Sequence, residues 1–409
     1  MPGLTPYDQQ YDFGEENKYP PNKARGSQVE EEGRGIIQDL EKARANRPPW
    51  WQRLVRDTTL VDDKIAYRQQ GIGVQSRPWV CWTLTVGMIV ALIITLVKQD
   101  QATGTPIAIK PTFNAMIGPS SEILIQNGAR FTPCMKETEL IDQPFSCPNN
   151  TKSTPTETCT LAEVCGFGAD FTDSAPDQRF RFVLPIFLHA GAVHALRIFR
   201  VQCLSSAQVE KEMGGLRFIV LYMCAGVFGN ILGASYALIG IPSVGASGAI
   251  FGTHAVILYD LIAHWKLERS PKKKLVFLLV EIIVGIGIGF IPFVDNFAHV
   301  GGFAMGLMFA ILLYPTIHQS KRRQYIVYGA RVVALVGIIL LFVLITRAFN
   351  SDDPNQSCSW CRYISCWPTS SNNHCKGTGL KTTETDTSSS SSFIPALTFL
   401  AGHYIRKQL

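Results

Sequence analysis

Charged side chains are scarce in this sequence: Asp, Glu, Lys and Arg make up 17% of 409 residues, where a soluble globular chain carries about a quarter. The deficit is local. From Trp79 to Val97 there is no Asp, Glu, Lys, Arg or His, and a helix of that length, at about 1.5 Å per residue, crosses a hydrocarbon core of about 30 Å. A soluble single-domain protein is excluded. Other absences narrow the function. Near Met1 there is no apolar run for a signal peptide, and acidic residues among the first 77 argue against a transit peptide. The net charge of +6 is not arranged as a basic stripe with interleaved aromatics, so no nucleic-acid partner is expected. His-Glu-x-x-His is missing, which removes the intramembrane metalloprotease class. Tyr259-Asp260 is followed by no Gly-x-Gly-Asp, so an aspartyl dyad lacks its second acid. Paired broken helices and inverted repeats, the marks of a transporter, are not evident.

What is present is a series of apolar segments. Besides Trp79–Val97 they run approximately over 182–203, 218–239, 244–263, 275–293, 297–317 and 325–346, seven expected spans in all. The second carries Arg197 and Arg200, which must snorkel or face protein. Basic residues crowd two short loops, Lys266 to Lys274 and Lys321 to Arg323, and by the positive-inside rule both are cytosolic. This places the N-terminus in the cytosol and the long loop 98–181 and the C-terminal tail on the lumenal or extracellular side. The expected organisation is a disordered cytosolic tail (1–77), a first span with its long cysteine-containing loop (78–181), six further spans (182–346), and a cysteine-containing, Ser/Thr-rich tail (347–409). Cysteines agree with this orientation: Cys134, Cys147, Cys159 and Cys165 fall in the loop, Cys358, Cys361, Cys366 and Cys375 in the tail, and none in a cytosolic segment. Four per region on the oxidising side read as disulfide staples, with zinc at the tail cysteines as the lesser alternative because the spacing fits no common finger. The sequon Asn149-Asn150-Thr151 lies on the same side.

Polar side chains inside spans are the candidates for chemistry. Gly245-Ala246-Ser247-Gly248 opens the fourth span and Ala298-His299-Val300-Gly301-Gly302 the sixth, which puts Ser247 and His299 at nearly equal depth, each about one turn in. Serine needs a base within about 3 Å, and helices with bulky faces stand too far apart to provide it. Here Gly245, Gly248 and Gly252 meet a series of Gly302, Gly306 and Ala310, so close packing is available. Either motif alone has a plain structural reading, as a helix-packing serine or a hydrogen-bonded core histidine. Asp295 reads first as an N-cap of the sixth helix, with orientation of the imidazole as the alternative. His254, on the serine's face, and Glu281, in the fifth span, are buried polar groups without an assigned partner.

Together these motifs resemble the catalytic pair of the rhomboid intramembrane serine proteases. Leu184-Pro185-Ile186-Phe187-Leu188-His189 with His194 is similar to that family's second span. Gly118-Pro119-Ser120-Ser121, Gly128-Ala129-Arg130 and Pro133-Cys134 resemble the lumenal loop of eukaryotic, fungal-like secretase-type members. The resemblance implies an all-α polytopic membrane protein, a six-helix core plus one additional C-terminal helix. It also implies Ser247 as nucleophile, His299 as base, Phe251 packed on that base, and His194 with the Ser247 N–H at the oxyanion, Gly245 being a further support position. No cofactor is expected. One departure stands out: the family's usual Asn four residues after His194 is Ile198 here. Loss of one oxyanion donor typically costs about 10² to 10³ in rate. Two functions follow as expectations. One is an endopeptidase cleaving transmembrane segments of single-pass proteins, in contact with membrane lipid, in the endomembrane system or plasma membrane. The other is a weak or inactive relative that binds membrane clients for trafficking or degradation.

Overall fold

The computed structural model describes Ile65, Arg68 and residues 73–351 except 153–156 and 318–319, together with Cys358, residues 360–367, Cys375, Gly377 and Thr378. All of these belong to one compact unit beginning at Val61. Most of the expected N-terminal tail and the Ser/Thr-rich stretch lie outside the described residues.

The membrane-embedded part is a helical bundle, in which α1 (Trp79–Thr103) is followed, after the long loop, by α4 (Ala192–Val201), α5 (Ala207–Met213), α6 (Gly215–Tyr236), α7 (Ser247–Ala263), α8 (Pro271–Ile288), α9 (Asn296–Leu313) and α10 (Lys321–Phe349). Helices α1, α6, α9 and α10 are each long and apolar enough to cross a membrane, and α7 is a shorter apolar helix. α9 lies centrally against α7, α6 and α10. Helix starts follow local chemistry. Asp295 accepts from the Phe297 amide at 2.9 Å at the start of α9, Ser320 accepts from Arg323 at 3.3 Å at the start of α10, and Pro271 occupies the first turn of α8, where a missing N–H costs nothing.

The second span departs from the hydropathy reading. Residues 182–190 are apolar but not helical in the long sense; they form short 3₁₀ turns around Pro185, a residue that cannot donate to a helix ladder. The helix starts at Ala192, passes through a π turn at Gln202–Ser206, and continues to Met213. The irregular lead-in is buried at Pro185, Ile186 and residues 188–190, and two of its carbonyls are satisfied by neighbours: Gly245 N–H donates to the Pro185 carbonyl at 2.8 Å and Asn230 to that of Phe182 at 2.9 Å.

The last residues of the segment expected to be disordered are seated on the bundle instead. Arg68 bonds both oxygens of Asp260 at 2.8 and 2.6 Å, and the Gln75 N–H donates to the Lys211 carbonyl at 3.0 Å.

The long loop is a small stapled unit. It holds α2 (Ser121–Gln126), α3 (Leu161–Cys165), and a two-stranded antiparallel ladder of β1 (Phe145–Ser146) and β2 (Thr158–Cys159). Disulfides Cys134–Cys165 and Cys147–Cys159 close it, and the tail has its own pairs, Cys358–Cys361 and Cys366–Cys375. Fully buried Arg181, at the end of the loop, gathers it together, donating to the carbonyls of Ile125, Ala129 and Cys165 at 2.6 to 2.8 Å. Asn149, the sequon acceptor, is exposed.

Candidate active site

Glycine is what lets α7 and α9 touch. A Cβ on Gly302 would fall on the carbonyl of Gly248, and one on Gly306 on the backbone of Gly252, so the two helices pack backbone to backbone. Ser247 is the first residue of α7, not one turn inside it, and His299 lies in the first turn of α9. The close approach brings His299 Nε2 to 2.8 Å from Ser247 Oγ. His299 is buried, Ser247 half-buried. Phe251, one turn further along α7, stacks flat on the imidazole with ring centroids 4.3 Å apart and planes 5° apart. A Cβ on Gly285 of α8 would meet that same ring at 2.6 Å, so α8 backs the stack closely.

The imidazole is held on its other edge by a residue that motif reading passes over. Asn296 Oδ1 lies 3.2 Å from His299 Nδ1. If Nδ1 carries the proton, Nε2 is the acceptor for the serine hydroxyl, the arrangement that proton abstraction requires. Asn296 stands three residues before His299, on the same helical face, and that spacing was its available signal. Asp295 does not touch the imidazole. It caps α9 and pairs with Arg130 from the long loop in a buried ion pair. Burial alone would raise the Asp295 carboxyl, but Arg130, the Ser365 hydroxyl and the Phe297 amide hold it below the usual aspartate range. Gly233 on α6 leaves the room, since a Cβ there would land on that pair.

On the opposite side His194 is buried, and its Nδ1 accepts from the Ala190 N–H at 3.4 Å. The neutral ring then bears its proton on Nε2. Gly245 sits against this ring: a Cβ would come within 3.2 Å of Nε2, and its φ of 124° suits glycine. The Ser247 and Gly248 amides belong to the first turn of α7, whose N–H groups have no intrahelical acceptor and favour developing negative charge. Ile198, one turn on from His194, is buried in the apolar cluster with Ala246 and Ile250.

His254 and Glu281, orphans in the sequence, come together: His254 Nε2 is 3.1 Å from Glu281 Oε2, outside hydrogen-bond geometry, and Ser205 donates to Glu281 at 3.4 Å. Among the described residues no cluster of His, Cys, Asp and Glu is arranged to hold a metal.

Residues 176–316 match the family model of the Rhomboid domain. Over a longer stretch the chain is 32% identical to rhomboid-type serine protease 2 of Emericella nidulans, covering 78% of this chain and 77% of that one. The chain belongs to the rhomboid family. This rhomboid is also 34% identical to RHOMBOID-like protein 4 of Arabidopsis thaliana, over 47% of this chain and 52% of the plant protein. A third relative, inactive rhomboid protein 1 of Rattus norvegicus, is 30% identical over 51% of this chain and 24% of its own length. Membership fixes the fold class, an all-α polytopic membrane protein, but spans relatives named as proteases and as inactive.

Proposed function

We propose that this rhomboid is an intramembrane serine endopeptidase that cleaves transmembrane segments of single-pass membrane proteins, with Ser247 as nucleophile and His299 as base. The observation that carries the reading is the 2.8 Å contact between His299 Nε2 and Ser247 Oγ, on a ring clamped by Phe251 and Asn296. A core histidine with a purely structural role has no need of a half-exposed serine as its partner. In the reaction Ser247 Oγ attacks the substrate carbonyl carbon while His299 Nε2 takes its proton, and the carbonyl oxygen becomes an oxyanion. His194 Nε2–H and the Ser247 N–H are its donors. The protonated His299 then gives the proton to the leaving amine, and water releases the acyl group by the same exchange. A substrate helix must unwind to present its carbonyl, which favours targets with Gly, Ser or Pro near the cut.

The orientation proposed is N-terminus cytosolic and C-terminus lumenal or extracellular. It rests on the basic loops and on eight cysteines paired as four disulfides within the loop and tail. The second reading, a client-binding protein without useful turnover, is favoured by Ile198, which puts methyl groups where the family has a carboxamide. Purified protein with Ser247→Ala, His299→Ala and both changes separates the two. The protease reading expects each single variant to lose cleavage of a single-pass test substrate and the double variant to be no worse, because the pair acts as a unit. Cleavage retained by Ser247→Ala refutes it.

A further inference from the structure

The C-terminal tail reaches the residue that holds the candidate base. A 3₁₀ turn at Cys361–Ile364 lies over the start of α9. There the Ile364 carbonyl accepts from Asn296 Nδ2 at 2.9 Å, and the Ser365 hydroxyl donates to Asp295 Oδ1 at 2.5 Å. Trp367 packs edge-on to Phe290 in the connection from α8 to α9. The disulfides Cys358–Cys361 and Cys366–Cys375 flank the turn on both sides.

These contacts decide which way the Asn296 carboxamide faces. A carbonyl only accepts, so Ile364 demands the NH₂ end of the amide, and Oδ1 is left toward His299 Nδ1. An acceptor at Nδ1 requires the imidazole proton there and leaves Nε2 unprotonated, facing Ser247 Oγ. With the tail withdrawn, the amide is free to turn over. Its NH₂ would then donate to Nδ1, the proton would sit on Nε2, and Ser247 would lose its base. Close packing limits other adjustments, since a Cβ on Gly289 would already fall on the Asn296 carboxamide.

We infer that the disulfide-flanked segment around Ile364 and Ser365 is a positioning device: acting through Asn296, it selects the His299 tautomer able to accept the serine proton. Its consequence for turnover rests on the protease reading, whereas the tautomer does not.

The test uses the full chain in lipid nanodiscs, with ¹⁵N-histidine spectra in which the His299 signals are assigned by their loss in His299→Gln. Wild type should show Nδ1–H. Cys366→Ser with Cys375→Ser, and separately Ser365→Ala, should shift population to Nε2–H, while Ser365→Thr, which keeps the hydroxyl, should resemble wild type. In cleavage assays Asn296→Ala should lower kcat by at least about ten-fold with KM within about two-fold, since a wrong tautomer in a Ser-His system is costly to turnover. The tail variants should lower kcat by about three-fold or more in the same pattern. Ser365→Ala, the milder change, serves if the cysteine variant does not fold. Unchanged tautomer in folded tail variants overturns the inference, whatever the activity. A tautomer that follows the tail in a protein that never cleaves supports it and sinks the protease reading instead.

Discussion

At one end of α7, Ser247 is half-exposed and has His299 at 2.8 Å; at the other, Asp260 takes two bonds from Arg68 and one from His264 at 2.8 Å. The His264 ring is used up as well, its Nε2 accepting from the Ile317 N–H at 3.0 Å. Both ends pair a histidine with a polar side chain of α7, yet only one has capacity to spare. A carboxylate saturated by a guanidinium and an imidazole holds a structure together, whereas an accessible hydroxyl with an unoccupied side can form a new bond. The comparison separates buried polarity that fastens the bundle from buried polarity that can react.

The largest effects should come from breaking the fastened end. Asp260→Ala leaves Arg68 with only the more distant Glu268 carboxylate at 3.6 Å and should cost about 1 to 3 kcal/mol of stability, the usual range when a part-buried charged group loses its hydrogen-bond partner; Ser247→Ala should leave the melting temperature within about 1 °C, a difference worth about 1 kcal/mol or less in a chain of this size. Equal destabilisation by the two would erase the distinction.

The Arg130–Asp295 pair is a fastening near the Ser247 end and brings acid sensitivity there. The folded Asp295 carboxyl lies below its unfolded value of about 4, so its contribution is fully present above pH 4 and is lost as pH falls through the folded value. Arg130→Met removes the largest of the causes that lower it. Denaturation measured from pH 6 to pH 3 should show a shallower acid loss in Arg130→Met than in wild type; parallel curves would remove Asp295 from the account.

Smaller effects sharpen the Ser247 end. Ile198→Asn should raise kcat about ten-fold with KM little changed, as expected of one recovered oxyanion donor reduced by imperfect geometry. No gain in a protein that cleaves would mean that His194 and the α7 amides already suffice. Phe251→Leu removes the flat stack on His299, an interaction worth about 0.5 to 1.5 kcal/mol, and should reduce kcat by about three- to ten-fold while Ser247 remains reactive; a wild-type rate would make the stack incidental.

The Ser247–His299 contact was legible in the sequence because small residues and a serine or histidine recur at fixed offsets, a local pattern. Phe251 came from the family resemblance rather than from spacing, and the proposed orientation rests on loop charge. The second span starts later than its hydropathy suggests because 182–190 is apolar without being helical, and hydropathy cannot separate a 3₁₀ wedge around Pro185 from a helix. Asn296 was passed over since an Asn beside an N-cap reads as ordinary helix-start chemistry; its role needs His299 and Ile364 in place together. Disulfide partners were beyond reach, because eight cysteines allow about 105 pairings, and Glu281 finds His254 only once α7 and α8 are packed.

The central claim, that Ser247 is a nucleophile activated by His299, is tested most directly by an alkyl fluorophosphonate, which reacts with activated serines without needing a natural substrate. Incubated with the purified full chain and followed by intact and peptide mass spectrometry, the probe should add once, on Ser247, and His299→Ala should abolish the adduct. Absence of any adduct on folded wild-type protein, or labelling of Ser247 that persists in His299→Ala at the wild-type rate, would contradict the claim.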